Sequence, residues 1–328
     1  MNLTRTIKRT WGLIALWSAL LAITCGEPTA SPPPPHLVFV TGDEEYRSEE
    51  SMPLLARLAE RELGVRTTVL FALDSNGYVN PNVNDNIPGL EVLDSADMMI
   101  CFLRWRALPD EQAQHLLDFA ESGKPMAGFR TSTHTFLYKD DSLRQHLNND
   151  WPTAVFGQQW ITHHGHFEDG HDPLTRVEVV PEADSPILNG VGGFPAYSWL
   201  YHVDGGDWQL NPKARPLLRG TSLRSKHEAA GKLAEFPLTN PVAWTNNYKG
   251  APVFFTTLGH PYDWKNDNMR RLALNGLAWA LGRERDIPAA GFDVTIEGTY
   301  APNNSGFGEK FKPGKTPADF LRMSAPSR

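Results

Sequence analysis

The chain has 328 residues, 41% of them hydrophobic, and a formal charge of −7 that becomes −10 once the basic leader residues Arg5, Lys8 and Arg9 are set aside. That is enough apolar material for one large core, and the acidic balance argues against nucleic acid as a partner, because phosphate binding needs a clustered basic surface. One of the two cysteines, Cys25, belongs to the leader, so Cys101 stands alone in the body and no internal disulfide is expected.

Residues 1–25 read as a signal peptide: a positive start is followed by an apolar stretch, Trp11 to Ile23, too short for an ordinary membrane-spanning helix. Leu20 to Cys25, followed by Gly26, resembles a bacterial lipoprotein signal with its anchor at Cys25; cleavage before Pro32 with a soluble product is the alternative. Both readings predict export, to the periplasm or to a membrane reached only through that lipid. Residues 26–36 form a linker stiffened by Pro32-Pro33-Pro34-Pro35.

From Leu37 the pattern alternates. Leu37 to Thr41 is a continuous apolar run, as in a strand buried on both faces. Leu54, Leu55, Leu58 and Ala59 share a helix face that Gly64 terminates, and Val65 to Leu70 is the next strand. Asp74 to Pro88 is a long polar loop, read as a surface or functional excursion. Ala96 to Phe102 is again apolar apart from Asp97 and runs into Leu103-Arg104-Trp105-Arg106. Pro109 then opens a helix, with Asp110 and Glu111 favouring the positive end of its dipole. Pro125 to Phe129 is a buried strand that turns abruptly polar at Arg130-Thr131-Ser132-Thr133-His134. This order predicts a doubly wound α/β domain with a mostly parallel sheet.

Between Asp150 and Asn240 the pattern loosens into insertion loops around strands at Thr175 to Val180 and Leu217-Leu218. A hairpin follows, Pro241 to Thr245 and Val253 to Leu258, and then the clearest helix, Met269 to Leu281. Residues 286–328 lose periodicity and read as an irregular tail docked by Phe292, Phe307, Phe311 and Phe320.

Loops leaving the carboxyl ends of parallel strands are where such sheets bind ligands. They carry Asp43, Glu44, Glu45 and Arg47, then Arg104 and Arg106, then Arg130, Thr131 and His134. His260, fixed between Gly259 and Pro261 after the last strand, is the first choice for acid/base work, with His134 second and Asp43 or Asp263 orienting either ring. Arg130, Arg104 and Thr131 are the expected substrate contacts. The loop His163-His164-Gly165-His166, with His171, Glu168, Asp169 and Asp172 nearby, admits two readings. In one, His164 binds a substrate hydroxyl and no cofactor is present. In the other, His164 and His166, which share a side of an extended segment, hold a divalent metal, although the spacing matches no strong zinc pattern. Trp105, Trp160, Trp199, Tyr201, Trp208, Trp244, Tyr248, Tyr262 and Trp264 fall mostly in loops or at strand ends. Aromatic faces beside Asp, Asn and Arg suit a sugar, so Trp244, Tyr248 and Asp263 join the expected substrate contacts.

Several stretches together resemble the ThuA, or trehalose-utilisation, family. They are Gly128 to Phe136; Phe156-Gly157-Gln158-Gln159-Trp160 with His163 and His164; Pro241 to Thr245 with Val253 to His260; and Leu274-Asn275-Gly276-Leu277-Ala278-Trp279-Ala280. The resemblance covers Leu37 to Arg283, giving a ThuA-like domain at 37–285. It implies a flavodoxin-like, class I glutamine amidotransferase-like three-layer sandwich, and a link to disaccharide and keto-sugar metabolism. It also places the strand ending at Leu258 in the same sheet. Glutaminase chemistry is not expected: it needs a cysteine on a turn directly after a strand, whereas Arg130 and Thr131 occupy that turn and Cys101 lies inside an apolar run. The expected function is action on a glycoside or keto-sugar by histidine acid/base chemistry. The alternatives are a non-catalytic sugar-binding lipoprotein and a metal-dependent hydrolase.

Overall fold

An apolar run makes a stable strand only when both of its faces are covered, and β1 (His36–Gly42) and β3 (Met98–Leu103) are buried along their whole length. In the computed structural model, residues 33–165 and 172–323 are described; the leader with Cys25, together with His166, Glu168, Asp169 and His171, lies outside the described residues. Among the described residues a nine-stranded sheet is formed. Five strands run parallel in the order β2 (Arg66–Leu70), β1, β3, β4 (Met126–Phe129) and β11 (Ala251–Thr256). The sheet continues antiparallel through β10 (Thr239–Tyr248), β9 (Arg215–Ser222), β6 (Thr175–Val179) and β7 (Phe194–Ala196). A separate short ribbon pairs β5 (Thr162–His163) with β8 (Tyr201–His202).

Side chains alternate across this sheet and build two apolar layers. Leu37, Phe39, Ile100, Phe102 and Phe254 face α1 (Ser48–Leu63) and α5 (Asp267–Ala280). Val38, Val40, Met99, Cys101, Leu103 and Phe255 face α2 (Asp110–Glu121) and α3 (Asp150–Phe156). Each large side chain so buried contributes about 1.5–3 kcal/mol. This is a flavodoxin-like α/β/α sandwich. Two glycines set its tightest contacts. A Cβ on Gly128 would stand 2.6 Å from the Phe255 ring and 2.7 Å from Phe156, and one on Gly276 would meet Phe254 at 2.6 Å.

The chain leaves β1 through α1 on one face and leaves β3 through α2 on the other. The two crossovers therefore part company between β1 and β3, the switch point where open α/β sheets hold ligands. Two further helices are α4 (Lys226–Ala229) and α6 (Pro317–Met323). The tail lies along the α1 side. Phe292, Phe311 and Phe320 are buried, whereas Phe307 is 44% exposed, and Arg61 and Arg270 bind its backbone carbonyls at Asp293, Val294 and Thr295. Among the described residues no helix is long and apolar enough to cross a membrane.

Candidate functional site

Each parallel strand delivers a polar loop to one rim, and these loops are tied to one another. Asp43 is fully buried after β1; its Oδ1 accepts the backbone N–H groups of Glu45 at 2.7 Å and Tyr46 at 2.8 Å, closing the turn. Its Oδ2 accepts the Thr131 hydroxyl from the loop after β4. The loop after β3 is joined to the same segment, Trp105 N–H donating to His134 O at 2.9 Å and Arg106 N–H to Thr135 O at 2.7 Å. Arg47, Trp105 and Arg130 all have left-handed backbones, φ 55, 49 and 41. Such conformations cost about 1–3 kcal/mol each in a non-glycine residue and cluster where the surrounding structure enforces a loop shape.

The rim encloses a small cavity of about 150 Å³. It is lined by the polar side chains of Glu45, Tyr46, Arg104, His134, His163 and Tyr201 and by the aromatic rings of Trp105, Trp160 and Phe307. The Arg104 guanidinium pairs with Glu45 Oε2 at 3.2 Å and with Glu44, and lies 3.5 Å over the Trp105 ring. Burial pushes the Glu45 carboxyl up to about 7, against the opposing pull of Arg104. His134 is driven well below the usual imidazole range by burial and then by Arg104 and Arg130, and burial, with Lys226, lowers His163 to about 3. At neutral pH the cavity therefore holds a carboxyl near its midpoint beside two neutral imidazoles. Such a set can give or accept a proton at a ligand oxygen, with flat apolar faces to hold the ligand and a guanidinium to fix a hydroxyl or carbonyl.

Other expected contacts stand elsewhere. Arg130 is fully buried, sandwiched by the cavity residues Tyr46 at 4.1 Å and Tyr201 at 4.4 Å and donating to Thr257 O and the Tyr46 hydroxyl; it does not itself line the cavity. Asp43 and Thr131 are spent on each other and on the turn. His260 stands behind Tyr46, stacked on Tyr197 at 5.6 Å. Its Nδ1 accepts from Tyr262 N–H at 3.1 Å, so Nε2 carries the proton and donates to Ser305 Oγ at 2.9 Å. Asp263 is fully buried, binding the Ser198 hydroxyl and the N–H groups of Tyr197, Gly259 and His260. It shapes the loop after β11.

Three placements correct the sequence reading. Trp244 is buried within β10, its indole N–H donating to Phe156 O at 2.7 Å. Tyr248 ends a strand that runs antiparallel, so it reaches the opposite edge of the sheet and bonds Glu121. His163, the last residue of β5, lines the cavity and stacks on Trp199 at 4.5 Å, whereas the next residue does not line it. His164 is fully buried against Ser225 Oγ at 2.8 Å, and its Nε2 has no hydrogen-bond partner among the described residues. Among the described residues no group of three or more His, Cys, Asp or Glu is placed to hold a metal ion, and His166 lies outside them. Cys101 is buried mid-strand, its thiol pushed up by burial.

The cavity also contains residues that the sequence reading did not single out as site residues. Glu45 stood in the rim list behind Asp43 and Glu44, and Trp105, Trp160 and Tyr201 in the aromatic set. His163 was hidden by its neighbour, and nothing in the sequence pointed Phe307 at the rim.

The profile of the ThuA family, described as trehalose utilisation, matches residues 37–280. The chain belongs to the ThuA family. Among solved structures, a ThuA-like protein from Parabacteroides merdae is similar at 12% identity and TM-score 0.50, covering 86% of this chain and 100% of its own. A ThuA-like protein from Bacteroides uniformis is 16% identical with TM-score 0.49, covering 78% and 95%. No curated protein sequence matches. The ThuA assignment points to a carbohydrate-related role, and Phe307 lies beyond the ThuA match.

Proposed function

We propose that this ThuA chain is an exported enzyme that transfers a proton to or from a sugar oxygen of a glycoside or keto-sugar. Glu45 is the titrating acid/base and His134 its neutral partner. Arg104 holds a hydroxyl or keto oxygen, and Trp105, Trp160 and Tyr201 take the CH faces of the ring. The observation that carries this reading is that Glu45 and His134 line one small aromatic-walled cavity at the sheet's switch point. His260 takes a positioning role here, because its two nitrogens are engaged by Tyr262 and Ser305.

The test is turnover of a sugar panel that includes trehalose. Wild-type kcat/KM is expected to bend near pH 7, and Glu45→Gln to remove both the bend and most of the rate. If calorimetry shows sugar binding while no sugar yields product, the cleft is a binding module and the catalytic reading falls.

A further inference from the structure

The segment 303–307 is hooked into the rim from far along the chain. Gly306 N–H donates to the backbone carbonyl of Glu45 at 2.8 Å, and the Arg47 guanidinium donates to Gly306 O at 2.8 Å. One residue earlier, Ser305 Oγ accepts the hydrogen bond from His260 Nε2–H, and Asn303 N–H reaches the Glu50 carboxylate at 3.2 Å. The hook thus spans the loops after β1 and β11 and fixes the main chain of the residue that carries the titrating carboxyl. Gly306 itself sits at φ 130, a conformation open essentially to glycine alone.

Phe307 is what the hook delivers. Its ring lies 4.9 Å from the Arg104 guanidinium and forms part of the cavity wall, yet stays 44% exposed while Phe292, Phe311 and Phe320 of the same tail are buried. An aromatic ring held at the mouth of a polar cavity, with much of its surface in water, offers an apolar face to an incoming ring.

We infer that the hook 303–307 is the specificity wall of the cleft and that Phe307 stacks on the sugar bound there; the inference rests on the cleft being a sugar site. In this arrangement the ThuA core supplies the proton-transfer groups, and the tail beyond it selects which sugar is held. The chemical class selected is a pyranoside with an unsubstituted CH face toward the mouth.

The experiment measures KM and kcat of the full chain on trehalose, maltose and glucose for wild type, Phe307→Ala, Phe307→Trp and Glu45→Gln. Phe307→Ala is expected to raise KM about tenfold for the preferred sugar and to flatten the preference among the three, with kcat changed less than twofold. Phe307→Trp is expected to restore it. A ring that merely covers Arg104 would give the opposite split, a lower melting temperature with unchanged KM, and that result overturns the inference. If Glu45→Gln abolishes turnover while Phe307→Ala leaves KM and preference intact, the sugar cleft stands and the wall falls. If wild type neither binds nor turns over any of the three, the pyranoside class is refuted and this inference falls, while the keto-sugar arm of the cleft reading is decided by the wider sugar panel.

Discussion

Replacing Glu45 by glutamine separates the cost of the site from its use. Glu45 is 6% exposed, and its carboxyl moves from an ordinary 4.5 to about 7 on folding. The folded state therefore binds more protons than the unfolded state between those values. Its stabilising share is complete below pH 4.5, is lost as pH rises, and reaches its floor above pH 7. Integrated from pH 5 to pH 8, a shift of that size corresponds to about 2–3 kcal/mol. Glu49, also raised to about 7 by burial, adds a slope of the same sign. That slope is present in both proteins and cancels when the variant is compared with wild type. Urea denaturation at pH 5, 6, 7 and 8 is expected to show Glu45→Gln gaining about 2–3 kcal/mol on wild type across the range, with equal m-values. A gap that stays constant within about 0.5 kcal/mol from pH 5 to 8 would refute the claim that burial controls this carboxyl.

Three other substitutions probe separate links. His134→Ala is expected to lower kcat by about 10²–10⁴, the usual range for a proton-transfer group; a change under threefold in a sugar turnover assay would remove it from the chemistry. Gly128→Ala forces a methyl into the Phe255 and Phe156 rings, so denaturant titration should show about 1–3 kcal/mol of destabilisation. Trp244→Phe leaves Phe156 O without its indole donor inside the core, and is expected to cost about 1–3 kcal/mol with kcat and KM unchanged, since Trp244 lies away from the cavity.

The parallel half of the sheet was legible because its strands are buried on both faces, so Leu37 to Val40 and Met98 to Leu103 appear as unbroken apolar runs. The rim followed from that, and Arg104 and His134 reach the cavity as the polar turns after β3 and β4 suggested. Strand direction was a weaker signal. Tyr248 and Trp244 belong to a hairpin whose first strand runs against the parallel set, and residue type says nothing about that. The short strands β5, β7 and β8 have too few residues to show a period. Glu45 illustrates the deeper limit. Its perturbed carboxyl arises from burial beside Arg104 and Asp43, contacts made between loops about sixty residues apart or within a turn closed by a side chain. The placing of His260 outside the cavity was hidden for a related reason, because the hydroxyl at its Nε2 comes from Ser305, in a stretch of the tail that shows neither helical nor strand spacing.

The contact between Arg47 and Gly306 closes a loop of 259 residues. Loop-closure entropy grows only slowly with length, about 0.6 kcal/mol per doubling, so the hook is affordable, but few buried apolar side chains hold residues 303–306 in place. Polar contacts alone make it one of the first parts of the molecule to open, well below the free energy needed to unfold β1 or β3. The Gly306 amide, bonded to the Glu45 carbonyl, should then exchange its hydrogen for deuterium far sooner than the amides of Phe39 or Ile100. Its exchange rate becomes a clock for how often the mouth of the cleft stands open, readable without any substrate in hand.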